Sequence, residues 1–265
     1  MTPLTFMSVA TNRYLDYWFK MYESYRTHNQ ELGNVFFQVF TDRESEVLEY
    51  CKKNDISNVS VIAIPGYSWP EATILRYEIF SGLGIFELPG IYAHIDADML
   101  FIDFEEMRNR VLSLKEDLLF VTHPGFFRPK GLKRFDFYSN KPICLAKDIY
   151  MYLKLGGIGA WETDRVSGAF VPYSKRRNYC CGGVWLGNRE AFLSMCNELS
   201  TLVKEDFKNG VLAKWHDESF LNMYLTNLEN IEILGPEFCF VDGYAQLKGV
   251  NPLIKALEKG ENRTR

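Results

Sequence analysis

Two carboxylates one residue apart interrupt an otherwise apolar stretch, Ile91-Tyr-Ala-His-Ile-Asp-Ala-Asp-Met-Leu-Phe-Ile-Asp103. A core strand does not normally carry unpaired carboxylates, because burying them is costly. In extended chain Asp96 and Asp98 point to the same side and repel one another unless a positive group lies between them. A divalent cation such as Mn²⁺ or Mg²⁺, which prefers hard oxygen ligands, is the simplest such group. The competing reading is a solvated turn or a helix cap. A second set, Trp215-His-Asp-Glu-Ser219, combines an aromatic and an imidazole with two acids. Such a set suits a sugar pocket, in which carboxylates bind hydroxyls or stabilise an oxocarbenium-like centre. It equally suits a helix start capped by Asp217 or Ser219. His123 in His-Pro-Gly-Phe, Arg76 in an amphipathic segment and the adjacent Gly182 and Gly183 each have a plain structural reading as well.

The elements needed to position these groups are legible. Residues 4–11 read as a first strand and residues 13–29 as a helix. Strands ending at Thr41-Asp42 and before Pro65-Gly66 follow. The segment 70–84 reads as one helix, with Pro near its start and glycines near its end. Residues 90–100 read as a fourth strand. Such alternation implies an α/β fold, a mostly parallel sheet with helices on its faces, whose ligands bind at the carboxyl ends of strands. Asp96 and Asp98 lie at one such end. A further strand precedes His123. The stretch from about 130 to 175 is irregular, aromatic and glycine-containing, as expected of a lid or substrate loop. Residues 179–196 read as a strand that enters a helix, and adjacent glycines in a strand suggest close approach of a ligand or backbone. A late strand and turn cover 230–244, and the tail 254–265 reads as basic and mobile.

Composition narrows the class. The 265 residues are 47% hydrophobic and 24% charged, which fits a globular core. A net charge of −4 gives no broad basic face for nucleic acid. Six cysteines without a C-x-x-C pair read as thiols in a reducing compartment, and four scattered histidines make zinc a poor fit. No stretch has the length of a membrane span or the layout of a signal peptide. The expected location is therefore cytoplasmic.

Taken in order, Asp-Ala-Asp at 96–98, His-Pro-Gly-Phe at 123–126, Tyr-Cys-Cys-Gly-Gly at 179–183 and Trp-His-Asp-Glu-Ser at 215–219 resemble glycosyltransferase family 6, the histo-blood-group A/B and α1,3-galactosyltransferase family. Val-Phe-Thr-Asp at 39–42 and the spacing of Trp69, Arg76 and Glu78 add to the resemblance, which covers nearly the whole chain. It implies a single GT-A catalytic domain over 1–265: about 1–120 for the nucleotide sugar, about 121–250 for the acceptor, and 251–265 a basic tail. It implies retaining transfer of GalNAc or Gal from a UDP-sugar to the 3-hydroxyl of a terminal β-galactoside, with or without fucose, using Mn²⁺ (or Mg²⁺). Carried over, Asp96 and Asp98 would hold the metal, and Asp96 would also face the donor. Val9, Ala10 and Tyr14 would contact uridine. Arg76 would reach the donor sugar or diphosphate, and Asp217 the donor hydroxyls. Glu218 would sit beneath the anomeric carbon as nucleophile or stabiliser and would border the acceptor, beside His123 and Trp215. Cys181, Gly182 and Gly183 would line the donor, and the small Gly183 favours UDP-GalNAc. Lys259, Arg263 and Arg265 would either fold over the diphosphate or stay disordered.

Departures accompany the resemblance. Animal members carry an anchor and stem before the first strand, so a soluble microbial or viral form is expected here. Many bacterial members have Asn-x-Asn where this chain has Asp-Ala-Asp. The paired cysteines are unfamiliar in the family. A transferase with another UDP-sugar donor, and an inactive glycan- or nucleotide-sugar-binding module, are the alternatives.

Overall fold

The computed structural model describes residues 2–28, 33–82, 89–127, 159–229 and 231–258. Much of the expected substrate loop, and Lys259, Arg263 and Arg265, lie outside the described residues.

Seven strands form the main sheet: β1 (Leu4–Val9), β2 (Val35–Thr41), β3 (Val59–Ala63), β4 (Ile91–Ile95), β6 (Leu118–Thr122), β7 (Cys180–Asn188) and β8 (Glu232–Leu234), in the order β3-β2-β1-β4-β7-β6-β8. Every pairing is parallel except the two made by β7, which runs against both β4 and β6. The fold is thus α/β with a mostly parallel central sheet flanked by helices, as in a GT-A-like single domain.

Alternation along the strands makes two cores. Leu4, Phe6, Phe37, Val39, Ala93 and Ile95 face α1 (Tyr14–His28) and α5 (Phe104–Ser113). Met7, Phe40, Tyr92 and Trp185 face the other side. There they meet α4 (Arg76–Ser81), α6 (Arg189–Lys208) and α7 (His216–Leu225). The aromatic residues fill these cores: Phe6, Tyr25, Phe37, Phe101 and Phe104 interlock on one side, and Phe80, Trp185 and Phe192 on the other.

Three expectations change. The 70–84 segment is two short helices, α3 (Glu71–Ile74) and α4, separated at Leu75. The apolar stretch around the aspartates is not one strand. β4 stops at Ile95, a turn carries Asp96 to Asp98, and β5 (Met99–Phe101) belongs to a separate two-stranded sheet. The aspartates therefore sit in a turn, and the same-side premise of an extended chain does not apply. Finally, residues 254–256 of the expected mobile tail form β9 (Ile254–Ala256), antiparallel to β5. Leu253 and Ile254 are buried, and the Leu257 N–H donates to the Asp98 carbonyl oxygen at 2.8 Å. The apolar pair Leu253-Ile254 gives the tail enough burial to order it.

Candidate active site

The antiparallel course of β7 builds the site. Because β7 starts where β4 ends, Val184 pairs with Ile95, and the Asp96 N–H donates to the Gly183 carbonyl oxygen at 2.9 Å. On its other edge β7 is irregular. Phe120 pairs with Trp185 and Thr122 with Cys180, so two steps along β6 correspond to five along β7. The extra residues fall at Cys181–Val184 and bulge around the double glycine, re-aiming the backbone as bulges do. An added Cβ at Gly182 would come within 3.0 Å of Asp217 Oδ2 and 3.2 Å of Glu218 Cβ. One at Gly183 would come within 2.9 Å of Asp96 Oδ2. The glycines let the strand backbone approach three carboxylates.

Arg76, the first residue of α4 and 5% exposed, ties the cluster together. Its Nη1 lies 3.1 Å from Asp217 Oδ2 and donates to the Gly182 carbonyl oxygen at 3.1 Å; its Nη2 lies 3.1 Å from Asp96 Oδ1. His94 completes the mount. Its Nδ1 is 3.2 Å from the Met7 carbonyl oxygen, which can only accept, so Nδ1 carries the proton. Its Nε2 then accepts from Arg76 Nη1 at 2.6 Å. Burial, with Arg76 second, holds the His94 imidazole neutral, its pKa lowered to about 4.

The two acids at the start of α7 differ in their partners. Asp217 is paired with Arg76, and the Tyr77 hydroxyl donates to its backbone carbonyl at 2.9 Å. Glu218 receives two neutral donors: the Tyr179 hydroxyl on Oε1 at 2.8 Å and the Gly182 N–H on Oε2 at 2.9 Å. Burial pushes both carboxyls up to about 7. Glu218 has no direct cation partner among the described residues; its direct partners are the two neutral donors. It is the better placed of the two to face a developing positive centre. Neither Asp217 nor Ser219 caps α7, contrary to the sequence expectation. The cap position is Trp215, whose N–H donates to Ser219 Oγ at 3.0 Å. His216 holds a left-handed φ of 48°, a sparsely populated state for a non-glycine residue, and its ring packs edge-on against Trp69 at 4.8 Å.

The remaining sequence candidates surround this centre. Val9 and Ala10 end β1 and Tyr14 opens α1. Met7 pairs with His94 and Ser8 Oγ donates to the Ile95 carbonyl oxygen, so Val9 comes level with Asp96. Beside them the Tyr67 carbonyl accepts from Thr11 Oγ1 and Asn12 Nδ2, and the Asn12 N–H donates to Asp42 Oδ1. His123 joins through Tyr179: the His123 N–H donates to the Tyr179 carbonyl oxygen at 3.0 Å, and the rings meet edge to face. The Gly125 N–H donates to His123 Nδ1, leaving Nε2 as the protonated nitrogen. Trp215 is 48% exposed and Trp69, on the other flank of His216, 64%. Cys181 is the exception: its side chain is buried in the α1-side core and hydrogen-bonded to the Cys239 thiol, not placed among the carboxylates. The sequence reading missed Tyr179, Tyr77 and His94.

Among the described residues no group of three or more His, Cys, Asp or Glu is arranged to hold a metal ion. The pair Asp96 and Asp98 still fits a hard cation whose remaining ligands come from a substrate. Both ligands are carboxylates, Asp98 is 8% exposed, and Asp96 Oδ2 faces the space left by the missing Gly183 side chain. No helix among the described residues is long and apolar enough to cross a membrane.

The chain is similar to known proteins. The model of glycosyltransferase family 6 matches residues 158–262, which include the double glycine and both α7 acids. Histo-blood group ABO system transferase 1 of Rattus norvegicus is 25% identical over 233 residues, 86% of this chain and 58% of that protein. The O-antigen biosynthesis glycosyltransferase WbnI of Escherichia coli is 24% identical over 195 residues, 73% of this chain and 69% of that protein. Globoside alpha-1,3-N-acetylgalactosaminyltransferase 1 of Gallus gallus is 21% identical over 240 residues, 88% of this chain and 60% of that protein. The chain spans 58% and 65% of the two rat blood-group relatives it matches. The α/β sheet with carboxylates gathered at one strand end is thus accompanied by similarity to glycosyltransferases. Residues 158–262 match glycosyltransferase family 6, and the chain is similar to histo-blood group ABO system transferases over most of its length.

Proposed function

We propose that this domain is a retaining α1,3-glycosyltransferase that moves GalNAc, or Gal, from UDP to the 3-hydroxyl of a terminal β-galactoside. The observation that carries the reading is the separation of charge roles at the end of β4. One buried arginine holds Asp96 and Asp217, while Glu218 accepts from neutral donors. Asp96 and Asp98 would hold Mn²⁺ or Mg²⁺, which when bound neutralises the departing diphosphate. Val9, Ala10 and Tyr14 would take the uridine at the end of β1. Arg76 fixes Asp217 toward the donor hydroxyls. Glu218 would face the anomeric carbon, as nucleophile or as stabiliser of same-face attack. His123 and the exposed Trp215 would hold the acceptor galactose. Relatives that act on blood-group and globoside glycans support the acceptor class. The thiols Cys51, Cys180, Cys181, Cys196 and Cys239 are free, which suits a reducing, cytoplasmic setting.

The test is product formation from UDP-GalNAc and from UDP-Gal with lactose and 2′-fucosyllactose, in Mn²⁺ and in EDTA. An α1,3-linked product that requires the metal is expected. Transfer from UDP-GlcNAc or UDP-Glc instead would replace the donor assignment. Glycan binding without turnover on any UDP-sugar would overturn the enzyme reading.

A further inference from the structure

Tyr179 opens the Tyr-Cys-Cys-Gly-Gly stretch and touches Glu218, yet no role has been assigned to it. It immediately precedes β7. Its ring is buried in a small aromatic cluster with Trp161, Phe126 and His123, edge to face with each. Its backbone is fixed from two sides. The carbonyl accepts the His123 N–H, and the next residue, Cys180, is clasped by Asn222. The Cys180 N–H donates to Asn222 Oδ1 at 2.8 Å, and Asn222 Nδ2 donates to the Cys180 carbonyl at 2.9 Å and to the Glu218 carbonyl at 2.8 Å. Only the hydroxyl leaves the cluster, and it ends on Glu218 Oε1 at 2.8 Å. With the Gly182 N–H on Oε2, both carboxylate oxygens are directed and the carboxylate plane has one orientation.

We propose that Tyr179 is a positioning residue for Glu218: a buried strut from the His123 wall whose hydroxyl fixes the orientation and favours the ionised form of that carboxylate. The inference rests on the reading that Glu218 acts at the reacting carbon. A hydrogen bond from a neutral donor to a carboxylate strengthens in a water-poor site and favours the charged form. The other groups facing Glu218 are Asp217 beside it on α7, Asp96 beyond β4, Arg76 on α4, Tyr77, and the Cys180 and Cys239 thiols. The acids oppose ionisation of Glu218, and Arg76 and Tyr179 favour it.

The experiment compares wild type, Tyr179→Phe, Glu218→Gln and the double variant. Phe retains the ring and its packing. The first readout is UDP release from UDP-GalNAc with lactose. Tyr179→Phe is expected to lower kcat by about tenfold or more at pH 7 with donor KM nearly unchanged. Adding it to Glu218→Gln is expected to cost nothing further. The second readout needs no turnover: ¹³C NMR of glutamate carboxyls, with Glu218 assigned by its loss in Glu218→Gln. Its titration midpoint is expected to lie at higher pH in Tyr179→Phe. An equal kcat penalty in both backgrounds, or an unmoved Glu218 midpoint, would overturn the proposal. Full activity of Glu218→Gln would instead remove the reading of the site, and the NMR midpoint would still decide whether Tyr179 governs Glu218.

Discussion

Arg76 Nη1 and Asp217 Oδ2 face each other at 3.1 Å across the junction of two helices far apart in sequence. Among the described residues, the guanidinium is the single positive charge beside three acids and one neutral imidazole. Removing one partner of a buried pair leaves an uncompensated charge, at a cost of about 3–5 kcal/mol. Arg76→Lys cannot reproduce the fork that spans Asp96, Asp217, His94 and Gly182. Thermal and urea unfolding of this variant should show a large loss of stability. Unchanged unfolding would mean that the cluster does not depend on the fork.

Asp98→Asn should weaken Mn²⁺ and UDP binding together, because one ligand of a two-carboxylate site loses its charge. Calorimetry with UDP in the presence and absence of Mn²⁺ reads both. A UDP affinity in Mn²⁺ equal to that of the wild type would sink the metal-bridge role of Asp98.

The two adjacent glycines separate functions. A Cβ at Gly183 meets Asp96 Oδ2 at 2.9 Å and Met99 Cε at 3.1 Å. Gly183→Ala should therefore displace Asp96 and weaken Mn²⁺-dependent UDP binding, besides shifting donor preference from GalNAc toward Gal. A Cβ at Gly182 meets Asp217 and Glu218 instead. Gly182→Ala should lower turnover and spare metal-dependent UDP binding. Identical profiles for the two variants, by calorimetry and donor competition, would contradict this division.

Glu218→Gln should cut turnover by about 10²-fold or more yet strengthen the empty fold at alkaline pH. Burial raises the Glu218 pKa from 4.5 to about 7, so between those values the folded chain keeps a proton that the unfolded chain has lost. Stability therefore falls as pH climbs through that window, and Asp217 acts with the same sign. Gln stays neutral, can accept the Gly182 N–H and can donate to the Tyr179 hydroxyl, which turns to accept. The melting temperature of the variant should match wild type near pH 5 and exceed it by a few degrees at pH 8. A lower melting temperature at pH 8 would show that the ionised carboxylate is not strained.

Strand alternation, the address of Asp96 at a strand end and the approach implied by Gly182-Gly183 were all legible in the sequence, because each depends on neighbouring residues. The break at Leu75 was not, since 70–84 has continuous helical spacing and tertiary contacts divide it. His94 carried a faint signal, a lone imidazole in an apolar strand two residues before a carboxylate. Its meaning depended on Arg76, 18 residues away. Tyr179 stood within the Tyr-Cys-Cys-Gly-Gly motif but its role was hidden, because its partner is 39 residues distant and tyrosine before an apolar strand is ordinary packing. β9 was hidden by the charged residues that follow Leu253-Ile254, Lys255 and the run from Glu258 onward, although those two apolar side chains order it.

β7 joins β4 to β6 but follows both in the chain, so the sheet is completed from its middle. During synthesis β1 to β4 can pair as they emerge, leaving β4 with an open edge of unpaired N–H and C=O groups. That edge waits until residues 180–188 arrive, almost ninety positions later. Closing such a loop is the slow, high-contact-order step of the fold. The same insertion carries Gly182 to Arg76 and Glu218. Nascent chains are thus most prone to self-association before the carboxylate cluster exists: β7 closes the open edge, and α7 afterwards brings Asp217 and Glu218 to it.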